Sequence, residues 1–171
     1  MNRPLFLCLI FALGVQAQSP SLLDRINAPD KIVPSISQTL TGTWMLELRP
    51  AGVPIVAPAI VTYLAEGTAV GPTSDGNHSN SQGVWVRVGD RKFIQTMFIF
   101  LFDEKRVMNG IQKVRIAVNL SADGATIQGS VDRLLLDREG KETAIFTGGS
   151  FRGVRLAPEK TSDFDSFLKE N

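Results

Sequence analysis

Short turn-forming pairs that divide the chain into apolar runs constrain the fold more than any other feature of the sequence. A Gly, Asn or Asp pair between two apolar runs is the strongest local signal of a β-hairpin. Four such pairs follow one another in the second half of the chain: Gly89-Asp90, Asn109-Gly110, Asp123-Gly124 and Glu139-Gly140. Links this short leave no room for crossover helices, so we expect neighbouring strands to pair antiparallel.

The apolar runs themselves alternate as half-buried strands do. In residues 40–48, Gly42, Trp44 and Leu46 share one parity, whereas Thr43 and Glu47 take the other. Further strands are expected at 59–64, 68–70, 84–88, 92–102, 114–120, 127–136 and 144–156. We therefore predict an all-β fold, a single up-and-down antiparallel β-barrel of about seven or eight strands, because closure removes unpaired edges. A β-sandwich is the alternative.

The beginning of the chain has the pattern of a secretory signal. Arg3 gives a positive start, residues 4–15 form an apolar core, and Val15-Gln16-Ala17 precedes a cleavage site. The apolar run is shorter than the roughly 20 residues of a spanning helix. We expect a secreted or periplasmic protein with no membrane span after signal removal. Its predicted segments are a signal peptide (1–17), a leader or linker (18–35), a β-barrel domain (36–157) and a polar C-terminal tail (158–171).

Cysteine and charge counts exclude several functional classes. Cys8 is the only cysteine and lies within the signal, so the mature chain is expected to have neither disulfides nor thiol catalysis. The chain has 18 Lys and Arg against 17 Asp and Glu, and the loss of Arg3 balances the two. Without a basic stripe, no nucleic-acid partner is predicted.

The segment Leu40-Thr41-Gly42-Thr43-Trp44 resembles the opening strand of the calycin barrels, the lipocalins and avidins. In those families a Gly-x-Trp begins the first strand at the closed end, and a basic side chain from the last strand covers the tryptophan. The resemblance implies barrel closure by Gly42 and Trp44, with Arg152 or Arg155 over the indole as a cation–π partner. The later tryptophan pattern of avidins is absent, so biotin binding is not implied. The layout also resembles that of uncharacterised secreted bacterial proteins. This second resemblance supports the fold but implies no ligand or reaction.

No catalytic or metal-binding constellation stands out. His78 is the only histidine and lies in a polar loop, where a solvated side chain and a mouth-lining acid or base are both open interpretations. A single histidine argues against zinc sites, and no phosphate or dinucleotide motif occurs. We predict no metal site and no cofactor.

A few residues are candidates for contact with a ligand. Tyr63 would direct its hydroxyl into the lumen or lie at the rim. Arg133 has inward parity with Ile127 and Val131, unless a bulge moves it to the surface. An inward arginine needs a partner, which an anionic ligand would provide. Phe98 and Phe100 belong to a run that is apolar on both parities, so one face should fill the lumen and the other should be covered by the tail, the leader or a second subunit.

Three functions are compatible with this sequence. The leading hypothesis is a secreted, lipocalin-like protein that binds a small, mainly apolar molecule in the barrel lumen. The second is a cofactor-free barrel enzyme of cyclase or isomerase type, similar to allene oxide cyclase and dirigent proteins, using Tyr63, Arg133 or Glu66. Convergent buried polar groups would favour the enzyme, and a smooth apolar cavity would favour the binder. The third is a structural or interaction module whose outer Phe98-Phe100-Phe102 surface binds a partner or a second copy of the chain, so that the Phe-rich strand could form a homo-oligomer.

Overall fold

The computed structural model describes residues 39–72 and 76–159, which form a closed antiparallel barrel. Each strand pairs with the next in sequence, and β1 pairs with β8. The prediction of a single up-and-down barrel is therefore confirmed, and the β-sandwich is excluded. The strands are β1 (Gly42–Arg49), β2 (Ala57–Tyr63), β3 (Thr68–Gly71), β4 (Ser81–Gly89), β5 (Lys92–Phe102), β6 (Met108–Leu120), β7 (Thr126–Leu136) and β8 (Glu142–Arg155).

The predicted signal peptide and leader, and the tail from residue 160, lie outside the described residues. Their assignments stay predictions. Within the described ranges, no helix is long and apolar enough to cross a membrane.

In three of the hairpin turns, an aspartate carboxylate accepts hydrogen bonds from backbone N–H groups of the same turn. Asp103 accepts hydrogen bonds on one carboxylate oxygen from the backbone N–H groups of Lys105 and Val107, both at 2.9 Å. Asp137 accepts in the same way from the backbone N–H groups of residues 139 and 141. Asp123 accepts from the N–H of residue 125 in its own turn. A short acidic side chain that bonds its own backbone makes these links turns rather than loops. This local chemistry stabilises the reversals of chain direction that the hairpins need.

The pairing of β7 with β8 contains a bulge, and it lies in β8, so the direction of the β7 side chains is unchanged. Val131 pairs with Gly149 and Arg133 pairs with Phe146, so β8 advances by three residues where β7 advances by two. Gly148 has a positive φ of 84° within this stretch, a conformation that glycine adopts without steric cost. Because the extra residue lies in β8, β7 keeps its alternation. Arg133 therefore stays on the inward parity of Ile127 and Val131.

Large side chains fill one half of the barrel. We call the end with Gly42 and Arg155 the floor, and the opposite end, with Arg49 and Glu142, the mouth. The largest fully buried side chains near the floor belong to five strands and to the segment before β1: Trp44, Tyr63, Phe93, Leu40, Ile127 and Val118. The core is therefore densest at the floor, and the unfilled space lies toward the mouth.

Candidate functional site

The floor brings together three of the residues that the calycin resemblance singles out. Trp44 has no exposed surface, and its indole N–H donates to the Leu40 carbonyl at 2.8 Å. The guanidinium of Arg155 lies 4.3 Å from the Trp44 ring centroid. Gly42 has a φ of +126°, and a Cβ there would lie 2.9 Å from the Arg155 guanidinium. Gly42 thus leaves the space in which Arg155 covers the indole.

Arg155 also joins three chain segments. It donates to the carbonyls of Thr39 at 2.7 Å and Gly124 at 3.0 Å, and to that of Thr41. These carbonyls belong to the segment before β1 and to the β6–β7 turn. The second candidate, Arg152, lies elsewhere: it faces outward and pairs with the buried carboxylate of Glu47 at 2.7 Å. Of the two arginines, only Arg155 covers Trp44, because side chains alternate between the faces of β8.

A cavity of about 170 Å³ occupies the lumen above the packed floor. Its walls are chiefly aliphatic, with Val61, Met97, Val114 and Val131 among them. It continues into a wider depression of about 470 Å³ at the mouth, and both are lined by Leu48, Ile99 and Arg133. The arrangement is an apolar pocket that is closed at one end and accessible from the other.

Tyr63 and Gln95 meet across the lumen at the deep end of this cavity. The Tyr63 hydroxyl donates to Gln95 Oε1 at 2.6 Å, and the two side chains are 1% and 2% exposed. Within residues 39–72 and 76–159, Gln95 Nε2 is buried with no hydrogen-bond partner. Leaving a buried donor unpaired costs about 1–3 kcal/mol. A polar group kept at that cost in an apolar pocket is a candidate for ligand contact.

Aromatic contacts hold Tyr63 in place. The Trp85 ring packs edge-on against Tyr63, with centroids 6.0 Å apart, and against Phe93 at 5.7 Å. Its indole N–H donates to the carbonyls of Leu64 and Thr68, each at 3.1 Å. The Tyr63 hydroxyl is thereby aimed across the lumen rather than along the floor.

Sequence reasoning identified Tyr63 but missed Gln95. The signal was available: Gln95 is the polar residue that shares its parity with Phe93, Met97 and Ile99 in an otherwise apolar run. A polar side chain in phase with the core-facing residues of a strand marks a buried polar group.

Arg133 lies where the deep cavity meets the mouth. Its guanidinium is 5.1 Å from the Phe146 ring centroid, and it makes no ion pair with any described residue. Gln112, Ser81 and His78 also line the mouth. Of the two interpretations of Arg133, the inward one holds. Glu66, in contrast, is exposed in the β2–β3 turn at the floor end and lines no part of the cavity.

Phe98 and Phe100 do not line the lumen. They alternate with the inward residues Met97 and Ile99, which places them on the outer face with 43% and 48% of their surface exposed. The expected lumen contact of these two side chains is corrected accordingly. Outward valines of β4, such as Val84 and Val86, extend the exposed apolar surface. Self-association through this face stays a prediction.

A spectrophotometric titration should show that Tyr63 is sealed from solvent. Burial raises the pKa of Tyr63 well above its ordinary value of about 10. The folded state therefore holds this proton more tightly than the unfolded state, so its contribution to stability is complete below pH of about 10 and is lost as the pH rises further. Tyr63 is the only tyrosine, so the ultraviolet absorbance of tyrosinate reports it alone.

We expect no tyrosinate signal in the folded protein at a pH where the urea-unfolded chain is half ionised, and signal only as circular dichroism shows unfolding. Ionisation near pH of about 10 with an intact barrel would contradict the buried position.

Among the described residues, no group of three His, Cys, Asp or Glu side chains is placed to hold a metal ion. A comparison with known protein families finds no matching family model, and a comparison with curated proteins finds no significant match. The features that bear on function are therefore those of the barrel itself. They are a closed floor, an apolar cavity with a buried tyrosine–glutamine pair, and a mouth with an arginine.

Proposed function

We propose that this chain is an exported, lipocalin-like binding protein that holds a small, mainly apolar molecule in the barrel lumen. The observation that carries the proposal is the unfilled upper half of the lumen, a cavity of about 170 Å³ with predominantly aliphatic walls. Protein cores are otherwise close-packed, and an apolar cavity of about 150 Å³ is large enough to take up benzene. An empty volume of this size lowers stability, which makes a binding role its simplest explanation.

The mouth supports an orientation for the bound molecule. Apolar atoms would fill the deep cavity, and a polar end would lie beside Arg133 and Gln112, where the lumen meets solvent. The guanidinium of Arg133 has no carboxylate partner among the described side chains, so it is available to a polar or anionic group. Such a ligand would still be mainly apolar, because the walls of the deep cavity that surround most of it are apolar.

The proposal is tested with N-phenyl-1-naphthylamine, a neutral apolar dye that becomes fluorescent when it leaves water. Wild-type protein should bind it with a saturable rise in fluorescence. Ala59→Phe places a large side chain in the lumen, because Ala59 lines both the deep cavity and the mouth. We expect the affinity to fall by about tenfold or more, which corresponds to about 1.4 kcal/mol.

Ala117→Phe is the matched control, since Ala117 is exposed on β6 and has outward parity. It makes the same chemical change on the outside of the barrel and should leave the affinity unchanged. The outer face of β4 and β5 is itself apolar, so equal binding by all three proteins would locate the dye outside and contradict the lumen as the binding site.

A barrel enzyme of cyclase or isomerase type is the second candidate, and the Tyr63–Gln95 pair favours it, because two buried polar groups converge on the cavity. Against it, an amide transfers no proton, and the raised pKa of Tyr63 makes its hydroxyl a weak acid. The pair is suited to hold a ligand group rather than to exchange protons with it. If a molecule incubated with the protein is recovered with the same mass but a different chromatographic retention, it has been converted to an isomer. That result would support the enzyme hypothesis.

A further inference from the structure

The Tyr63–Gln95 pair has more hydrogen-bond donors than acceptors to receive them. Tyr63 carries one hydroxyl proton and the Gln95 amide carries two. Their mutual hydrogen bond uses the hydroxyl proton, and Gln95 Nε2 has no acceptor among the described residues. If the amide were rotated by half a turn, Nε2 would donate to the Tyr63 oxygen and the hydroxyl proton would lose its acceptor. In both orientations the pair keeps unused donors, and both side chains belong to the lining of the cavity.

The surroundings of the pair exclude a charged ligand group. Gln95 pairs in register with Trp85 on one side and Ile116 on the other, and Met97 is the next inward residue of its strand. The nearest cation on the cavity wall is Arg133, two strands away and two residues closer to the mouth, because Gln95 is in register with Ile116 and Val131. The spacing between strands and the rise per residue put the Cα atoms of Gln95 and Arg133 roughly 10–12 Å apart. A carboxylate at Gln95 would be buried without a countercharge.

We propose that Gln95 and Tyr63 form a recognition site for the carbonyl oxygen of a neutral, lipophilic ligand such as a ketone, ester or tertiary amide. The inference rests on the proposed lumen binding and specifies its ligand class. A carbonyl accepts hydrogen bonds and donates none, so it supplies what the pair lacks, whereas a hydroxyl would add another donor. The aliphatic walls around the pair offer a competing water few further hydrogen-bond partners, so the hydrogen bond distinguishes ligands that bear the acceptor from those that lack it.

Two probes of nearly equal shape test this site. Acetophenone carries a carbonyl, and α-methylstyrene carries a methylene group in its place. Their dissociation constants are measured by ligand-observed NMR with wild-type protein, with the double variant Tyr63→Phe/Gln95→Leu, and with Gln128→Leu. The double variant removes both polar groups together, which leaves no unpaired partner and keeps an apolar core of similar volume. Gln128→Leu makes the same amide-to-aliphatic change on the exposed outer face of β7, away from the cavity.

We expect the preference for acetophenone over α-methylstyrene to be roughly tenfold greater in wild-type protein and Gln128→Leu than in the double variant. The infrared carbonyl stretch of bound, carbonyl-labelled acetophenone should lie at lower frequency in wild-type protein than in the double variant, because a donated hydrogen bond weakens the C=O bond. A general loss of packing would weaken both probes equally and would not shift the stretch.

The outcomes separate the two proposals. If both probes bind in the lumen but neither the preference nor the carbonyl stretch changes in the double variant, carbonyl recognition is overturned and lumen binding stands. If neither probe binds wild-type protein, and the fluorescent dye does not respond to Ala59→Phe, both proposals fail together.

Discussion

Replacing Trp44 by alanine should lower the free energy of unfolding by about 3–5 kcal/mol. Trp44 has no exposed surface and is the largest side chain buried at the floor, so its removal opens a cavity in the densest part of the core. The indole also donates to the Leu40 carbonyl and underlies the Arg155 guanidinium, and both contacts would be lost with it. Urea denaturation should show a lower midpoint with an unchanged slope.

Val86→Ala is the control for this measurement. Val86 is 53% exposed on the outer face of β4, and its truncation should change stability by no more than about 0.5 kcal/mol. A Trp44→Ala protein as stable as Val86→Ala would show that the floor is not closed by this side chain.

Arg155→Met should lower the free energy of unfolding by roughly 2–4 kcal/mol, the second large effect we expect. The methionine retains most of the apolar stem but loses the guanidinium, which donates to the Thr39, Thr41 and Gly124 carbonyls and lies over Trp44. Hydrogen bonds from a charged donor contribute about 1.5–3 kcal/mol each, and the cation–π contact about 0.5–2 kcal/mol, with partial recovery through water. Because Arg155 ties the segment before β1 to the β6–β7 turn, amide hydrogen exchange should quicken in both places.

Arg115→Met is the matched control, an identical substitution on the outside of β6. Arg115 is 46% exposed and lies 3.5 Å from the Asp132 carboxylate. A surface pair of this kind contributes about 0.2–1 kcal/mol. Equal losses in the two variants would mean that Arg155 acts as an ordinary surface charge, and would contradict its role in closing the barrel.

The sequence predicted the strands and their inward faces because both depend on local patterns. Turn pairs and two-residue alternation are read from neighbouring residues, and they indicated the barrel and the inward parity of Arg133. One turn pair was wrong: Asn109-Gly110 lies inside β6, and the β5–β6 turn falls at residues 103–107, where Asp103 accepts hydrogen bonds from backbone N–H groups of the turn. The Gly42 to Trp44 segment indicated the floor through its resemblance to calycins. The same patterns failed where a run is apolar on both parities: Phe98 and Phe100 were expected to contact a lumen ligand and lie outside, since alternation alone does not say which parity faces in.

The tertiary structure alone decided what depends on residues far apart in sequence. The turn chemistry indicated an antiparallel meander, but only the strand pairing shows that the bulge lies in β8, at Gly148, and not in β7, so that Arg133 keeps its inward parity. The register of β1 against β8 places Arg155, rather than Arg152, opposite Trp44. Tyr63 and Gln95 belong to strands that are not neighbours, so no pairing rule brings them together. They meet because the sheet closes on itself, and barrel curvature is a property of all eight strands rather than of any one segment.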